Sequence, residues 1–392
     1  MFLISITLKN TFLFCIFSIL LSGCQQGKSE ETDLRKKSAN AVPAKLDPNE
    51  ITKYHDLVSH YLDSTLLRGK FNGAILVAKD GVTVYEEYIG YKNILTKDTL
   101  TAENPLQIAS TTKTLTAAAI LRLVQEGKLD LNAPLQQFYP SFPYIEVTVK
   151  SLLNHRSGLP NYLYYMESGG WDRKKKATNT DILNTLIEWQ PPRAYKPNAN
   201  FNYCNTNYVI LALLVEKISG TSFPEYMRKT FFEPLGMKHT YVHTINDSAR
   251  TTPSFDGYGK DWQLDFSDGP YGDKNIYSTV QDLLKWDQAW YNGVVLNEKL
   301  VDSAFTPYSN ERPSMHNYGL GWRLLMMPNN KKVIYHHGRW HGFNSAFARL
   351  PDEKVTIIIL SNKFNKNVYS VARNMYNLFG DYDGKGVVAV VE

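Results

Sequence analysis

The spacing of apolar residues changes character twice along the chain. Ile51, Tyr54, Leu57, Val58, Tyr61 and Leu62 recur three and four apart, predicting an amphipathic helix that begins near Asp47-Pro48-Asn49-Glu50. Gly73–Ala78 and Val82–Ile89 then read as strands, joined by the hairpin signal Lys79-Asp80-Gly81. In the middle, Ile120–Gly127, Thr148–Leu153, Asp181–Trp189, Tyr208–Ile218, Pro224–Phe232 and Gln281–Trp290 carry helical patterns separated by Pro, Gly and Asn. Strand-like runs return at Ser345–Leu350 and Val355–Leu360, around Pro351-Asp352-Glu353, and a last helix is predicted over Asn367–Leu378. Strands at both ends with helices between them predict an α+β fold. An antiparallel sheet is built from both chain ends and flanked by terminal helices, with a mostly α-helical region, about 115–290, inserted; the βαβ alternation of a parallel sheet is missing.

The N-terminus is not part of that pattern. Lys9-Asn10 precedes the apolar run Phe12–Leu21, whose ten residues are half of the ~20 needed to span a bilayer and fit the h-region of a signal peptide. The run ends in Leu21-Ser22-Gly23-Cys24, which resembles the lipobox of bacterial lipoproteins. That resemblance implies a signal peptide over 1–23 and a diacylglyceryl group on the Cys24 thiol. It also implies a lipid anchor on the extracytoplasmic side of a membrane of the bacterial cell envelope, periplasmic or outer. Residues 24–47, rich in Gln, Lys, Ser, Glu and Asp without an apolar period, read as a flexible tether. Residues 48–380 form the folded domain and 381–392 a C-terminal tail.

Composition narrows the classes. Of 392 residues, 43% are hydrophobic and 21% charged, values of a globular chain with ample core. The net charge of +5 is slight and well mixed, which argues against nucleic acid as a partner. No segment repeats, which argues against a solenoid or propeller. The three cysteines, Cys15, Cys24 and Cys204, are too few and too far apart for a structural zinc site. After cleavage Cys204 is the only thiol of the domain, so no intrachain disulfide is expected there.

One segment stands out chemically. Ser110-Thr111-Thr112-Lys113 holds the only S-x-x-K of the chain and opens Leu115–Val124, a run apolar nearly all round and therefore a buried helix. Residues three apart share a helix face, so Lys113 reaches the Ser110 hydroxyl. A serine needs such a neighbour to become a nucleophile, and a helix N-terminus offers N–H groups to an oxyanion. An N-cap role for Ser110 is the structural alternative. Tyr-x-Asn occurs at Tyr91, Tyr203 and Tyr308; Tyr203 directly precedes the apolar helix at Tyr208–Ile218 and is the better-positioned candidate. Cys204, inside that motif, is expected to be small, buried and inert. His336, His337 and His341 lack H-E-x-x-H spacing, and neighbouring strand residues face opposite ways, so no metal is expected on them.

Taken in order, these segments resemble the serine β-lactamase and penicillin-binding protein superfamily, in its class C-like branch. Gln107–Thr114 is similar to that family's first motif, Thr148–Pro160 (TVKSLLNHRSGLP) to its "LL.H.SGLP" segment, and Tyr203-Cys204-Asn205 to its second motif. Phe232–Met237 is similar to another family segment, and His336-His337-Gly338 falls at its third motif, with Gly342–Ser345 following at the family's interval. The likeness spans about residues 50–380.

The resemblance implies acyl transfer without metal or organic cofactor, on small esters, amides, D-amino-acid peptides or β-lactams. Ser110 would attack the carbonyl. Tyr203 or Lys113 would take its proton, with Asn205 and His336 completing the catalytic set. The backbone N–H groups of Ser110 and Arg339 would hold the oxyanion, and His337, Gly338 and Arg339 would contact substrate. Two alternatives remain: a penicillin-binding receptor that acylates with little turnover, and a catalytically silent envelope scaffold. His337 and Arg339 stand where Thr or Ser and Gly are usual. Arg339 pointing inward would bind a substrate carboxylate bidentately; pointing outward, the favoured reading, it leaves a carboxylate-indifferent site for neutral esters or amides. His155 and Ser157-Gly158 are expected to shape a turn between helices.

Overall fold

The computed structural model describes residues 45–383 apart from 246 and 248–250; the expected signal peptide, Cys24, most of the tether and the end of the tail lie outside the described residues. Its helices are α1 (Pro48–Ser64), α2 (Thr112–Gln125), α3 (Val149–Leu153), α4 (Tyr162–Ser168), α5 (Asn179–Trp189), α6 (Asn205–Ser219), α7 (Phe223–Met227), α8 (Val280–Tyr291), α9 (Glu298–Ala304) and α10 (Asn367–Met375). The strands of the main sheet are β1 (Gly73–Lys79) and β2 (Val82–Ile89), then β8 (His316–Tyr318), β9 (Arg323–Met326), β10 (Lys332–Trp340), β11 (Phe343–Leu350) and β12 (Val355–Ser361). The short strands β3 (Tyr91–Asn93) and β4 (Asp98–Thr99) pair with each other, and β5 (Leu106–Gln107), β6 (Tyr241–Val242) and β7 (Ile276–Ser278) form a third small sheet.

The main sheet runs β2-β1-β12-β11-β10-β9-β8, antiparallel throughout, and the two chain ends meet where Gly73–Lys79 pairs with Val355–Ser361. This is the α+β sheet expected from the sequence. At the first hairpin Asp80 (φ 53°) and Gly81 (φ 78°) both adopt the left-handed conformation that a two-residue turn between twisted strands requires. β12 is buried on both faces, which explains its unbroken apolar run Ile357–Leu360. Val355, Ile357 and Ile359 pack with Val58 and Leu62 of α1 and with Val368 and Met375 of α10. Ile358 and Leu360 face the helical region. The chain is therefore three layers deep, and α2 and α6, buried along most of their length, cross the middle of the helical layer.

Pro224–Phe232, expected as one helix, is α7 followed by a π-helical turn over Arg228–Phe232. The last helix ends at Met375 and continues as a 3₁₀ turn to Leu378. Ser110 precedes α2 in a separate 3₁₀ turn, Ala109–Thr111, where the sequence pattern had put it in the helix itself.

Candidate active site

The turn that carries Ser110 is clamped from two sides. Ile108 N–H donates to Ile276 of β7 (2.9 Å). Thr111 Oγ1 donates to the His336 carbonyl of β10 (3.0 Å), and Ser345 Oγ of β11 donates to the Ile108 carbonyl (2.7 Å). Ala109 sits at φ 45°, a left-handed value that costs a residue with a Cβ free energy and persists only where the surroundings impose it. Gly338 explains the tight fit. A Cβ there would lie 2.5 Å from Ile108 O and 2.6 Å from Ser110 N, so β10 passes flush against the turn only because position 338 has no side chain.

Lys113, fully buried on α2, donates to Ser110 Oγ (3.1 Å), Asn205 Oδ1 (2.9 Å) and the Asp273 carbonyl (2.8 Å). Three acceptors match the three N–H bonds of an ammonium. Its Nζ also lies 5.0 Å from the centroid of the Tyr203 ring. Asn205 is held as the first residue of α6, and Tyr203 sits just before the N-cap Cys204. The sequence-chosen Ser110, Lys113, Tyr203 and Asn205 are thus gathered at one place. Ser110, Tyr203, Asn205, His337, Gly338 and Arg339 line a single cleft of about 1300 Å³. Tyr308 is elsewhere: its hydroxyl donates to Ser303 O (3.0 Å) and its ring stacks under Lys150.

His336 and His337, expected to complete the catalytic set and to contact substrate, are consecutive on β10 and face opposite sides of the sheet. His336 shares a strand face with Ile334 and Gly338, is fully buried, and lies under Tyr203 (ring centroids 6.3 Å) behind the cleft wall. Its Nε2 is 3.0 Å from Tyr318 OH and its Nδ1 2.8 Å from the His337 carbonyl. Burial, and then the charges of Arg323 and Lys113, hold its pKa well below the usual imidazole range. His336 is therefore a neutral neighbour of Tyr203 behind the cleft wall, where the resemblance had implied a member of the catalytic set. His337 projects from the opposite sheet face, between the rings of Tyr335 (4.9 Å) and Tyr369 (5.3 Å), as strand alternation requires. Burial pushes its pKa down to about 3.

His155, expected only to shape a turn, does so at φ 56° and also stacks on Tyr203 at 4.3 Å. Its Nδ1 accepts the Cys204 N–H (3.1 Å), which ties the ring to the tyrosine's own backbone. Cys204 is free and buried, its thiol pushed up to about 11 by burial, the inert role expected.

Arg339 is exposed and lies over Phe364 (4.6 Å), pointing outward. The inference that the cleft therefore ignores carboxylates nevertheless loses its footing, because Lys274, Arg323 and Arg373 also line it. None of these three was singled out from the sequence. Lys274 is fully buried; its ammonium donates to Tyr162 OH and Asp273 Oδ2 (3.3 Å) and lies 4.4 Å from the Trp340 ring centroid. Burial lowers its pKa, opposed by Asp273. Next to it, Asp268 accepts from Trp340 Nε1 (2.7 Å) and pairs with His341 Nε2 (2.8 Å). Burial favours the neutral acid there, but the His341 and Trp340 contacts outweigh it and hold the carboxyl below its ordinary pKa. The Lys274 loop, Gly269–Asn275, follows no period; its only signals are glycines and a lysine beside an aspartate. Among the described residues no group of three or more His, Cys, Asp or Glu side chains is placed to hold a metal.

A Ser-x-x-Lys turn bolted to an antiparallel sheet built from both termini, opposite a Tyr-x-Asn at the head of a buried helix, defines the class of the serine β-lactamases and penicillin-binding proteins. The chain belongs to the Beta-lactamase family, whose model matches residues 55–381. It is 32% identical over 321 residues to penicillin-binding protein 4* of Bacillus subtilis, covering 77% of this chain and 70% of that one. The octameric penicillin-binding protein homologue from Pyrococcus abyssi superposes with a TM-score of 0.69 at 27% identity, over 85% of this chain and 77% of that one. The D-amino acid amidase of Ochrobactrum anthropi SV3 complexed with D-phenylalanine shares the fold, with a TM-score of 0.68 at 23% identity, over 82% of this chain and 98% of that one.

Proposed function

We propose that the protein is a serine hydrolase working through an acyl-enzyme on Ser110, with small esters, amides, D-amino-acid peptides or β-lactams as substrates. The observation that carries this is the 3.1 Å contact of Lys113 Nζ with Ser110 Oγ, at the wall of a cleft that Tyr203 and Asn205 also line. Ser110 Oγ attacks the carbonyl carbon. Its proton passes to Tyr203, which returns it to the leaving nitrogen or oxygen as that bond breaks. The N–H groups of Ser110 and Arg339 receive the oxyanion, and water releases the acyl group. The family membership and the amidase fold support the reaction type; the cations in the cleft leave acidic and neutral substrates both open.

The test is labelling of the full-length protein with a fluorophosphonate and a fluorescent penicillin, followed by peptide mapping. Adduct on Ser110, lost in Ser110→Ala with folding intact, is the expected outcome; adduct on another serine refutes the mechanism. A burst without steady turnover would identify a receptor in place of a hydrolase. The lipobox-like Leu21-Ser22-Gly23-Cys24 further supports a lipid-anchored envelope location. Stable anchorage needs more than one acyl chain, and Cys24→Ala is expected to release the protein into the soluble fraction.

A further inference from the structure

A tyrosine that takes a proton from serine must carry negative charge at that moment. Its reference pKa is about 10, so the phenolate needs cations close by. Six groups face Tyr203. From α2 comes Lys113, with Nζ 5.0 Å from the ring centroid. From the turn after α3 comes His155, stacked at 4.3 Å, and from β8 comes Tyr318 at 6.5 Å. Tyr208 of α6 raises no positive charge and donates its hydroxyl to Leu153 O (2.6 Å). From β10 comes His336 at 6.3 Å. From the first residue of β9 comes Arg323, with Cζ 5.2 Å from the ring centroid and its side chain on the cleft lining.

Neither imidazole supplies charge. His155 uses Nδ1 as an acceptor for a backbone N–H and is fully buried. In the neutral ring His336 donates from Nδ1 to the His337 carbonyl and accepts at Nε2 from Tyr318 OH, so both nitrogens are satisfied without a second proton. Burial comes first among the causes that hold both imidazoles far below their ordinary pKa, and Lys113 and Arg323 add to it. Lys113 meanwhile divides its three donors among Ser110, Asn205 and Asp273, with none left for the Tyr203 hydroxyl.

We propose that Arg323 is the second cation of the site, a positioning residue that stabilises negative charge on Tyr203 in place of the neutral His336. The proposal rests on the assignment of Tyr203 as proton acceptor. Arg323 exchanges no proton itself: the Ser110 Oγ–H proton goes to Tyr203 Oη as the Oγ–C bond forms, and then to the leaving group as the scissile bond breaks. A guanidinium suits the role because it stays charged through the working pH range.

The experiment compares acylation of the full-length protein by a neutral activated ester and by a carboxylate-bearing one, as a function of pH. The proteins are wild type, Tyr203→Phe, Arg323→Met, Arg323→Lys and Arg323→Met combined with His336→Lys. Arg323→Met is expected to slow acylation by the neutral ester at least about tenfold at pH 7. The acid limb, which reports the base of the free enzyme, should rise by roughly one to three pH units, the influence of one opposite charge at such range. Arg323→Lys should keep most of the rate, and moving the cation to position 336 should bring the limb back. An acid limb that stays in place in Arg323→Met overturns the proposal. So does a loss confined to the carboxylate-bearing ester, which would make the guanidinium a substrate contact. If Tyr203→Phe acylates as fast as wild type, the assignment of Tyr203 has failed, and the role of Arg323 falls with it.

Discussion

Replacing Gly338 with alanine adds one methyl group at the most constrained point of the site. Its Cβ would stand 2.5 Å from Ile108 O, 2.6 Å from Ser110 N and 2.6 Å from Ser345 Oγ, where ordinary contact begins at 3.4 Å. The serine hydroxyl can turn away only by giving up its hydrogen bond to Ile108 O. The other two atoms are backbone of the Ser110 turn, so β10 and that turn must separate by about 0.9 Å. Overpacking of this kind costs about 1–3 kcal/mol, less than the 5–15 kcal/mol that ordinarily holds a domain together, so the variant should fold. Chemistry should suffer far more, because a misplacement near 1 Å costs about 10²-fold in rate. The assay is the second-order rate of fluorophosphonate labelling at Ser110, run beside a thermal melt. A fall of about a hundredfold with a cooperative melt is expected. Labelling within a factor of two of wild type would show that the turn tolerates the methyl and that the tight fit at Gly338 has no bearing on the nucleophile.

Two predictions concern stability. Arg349 of β11 and Asp287 of α8, both almost wholly buried, are joined at 2.5 Å, and Thr356 Oγ1 of β12 donates to the same carboxylate. Asp287→Ala strands the guanidinium in the interior and should cost about 3–5 kcal/mol in urea unfolding; adding Arg349→Met should recover much of it, and a single variant as stable as wild type would refute the pairing. His155 and His336 are held neutral in the fold, whereas in the unfolded chain each takes up a proton below about 6.5. The unfolded state then binds more protons, so stability must drop as pH falls below about 6.5, by up to ~1.4 kcal/mol per pH unit for each group; urea midpoints that stay flat from pH 7 to 5 would contradict this.

Much of the architecture was legible because long elements repeat their signal. β2 was bounded to the residue by its flanking turn and glycine, and α2 announced burial by being apolar nearly all round. One- and two-turn helices such as α4 and α9 are shorter than the period needed to recognise them. The edge strand β8 and its neighbour β9, of three and four residues, left no alternation to read. The same division holds in the site. Ser110 and Lys113 are three residues apart in one motif, and Tyr203 and Asn205 two apart in another, so spacing exposes them. Lys274 and Arg323 are single cations on a loop and at a strand start. What makes them part of the cleft is the packing of α2, β10 and the loop before β7, which no local pattern records. His155 was visible as a residue but not as a partner of Tyr203, because the contact joins positions 48 residues apart through a left-handed turn.

Closing the sheet with a strand from each end has a consequence for how the protein comes into being. The Ser110 turn is synthesised more than two hundred residues before the strand that clamps it, and β1 waits until residue 355 and beyond for β12. Pairings so distant in sequence form slowly, and a chain released before residue 355 would present β1 and β11 as bare edges, the surfaces on which unfinished sheets aggregate. The turn that carries Ser110 gains its clamps only once β10 and β11 have arrived, so the cleft around it stays unassembled until both strands have been made.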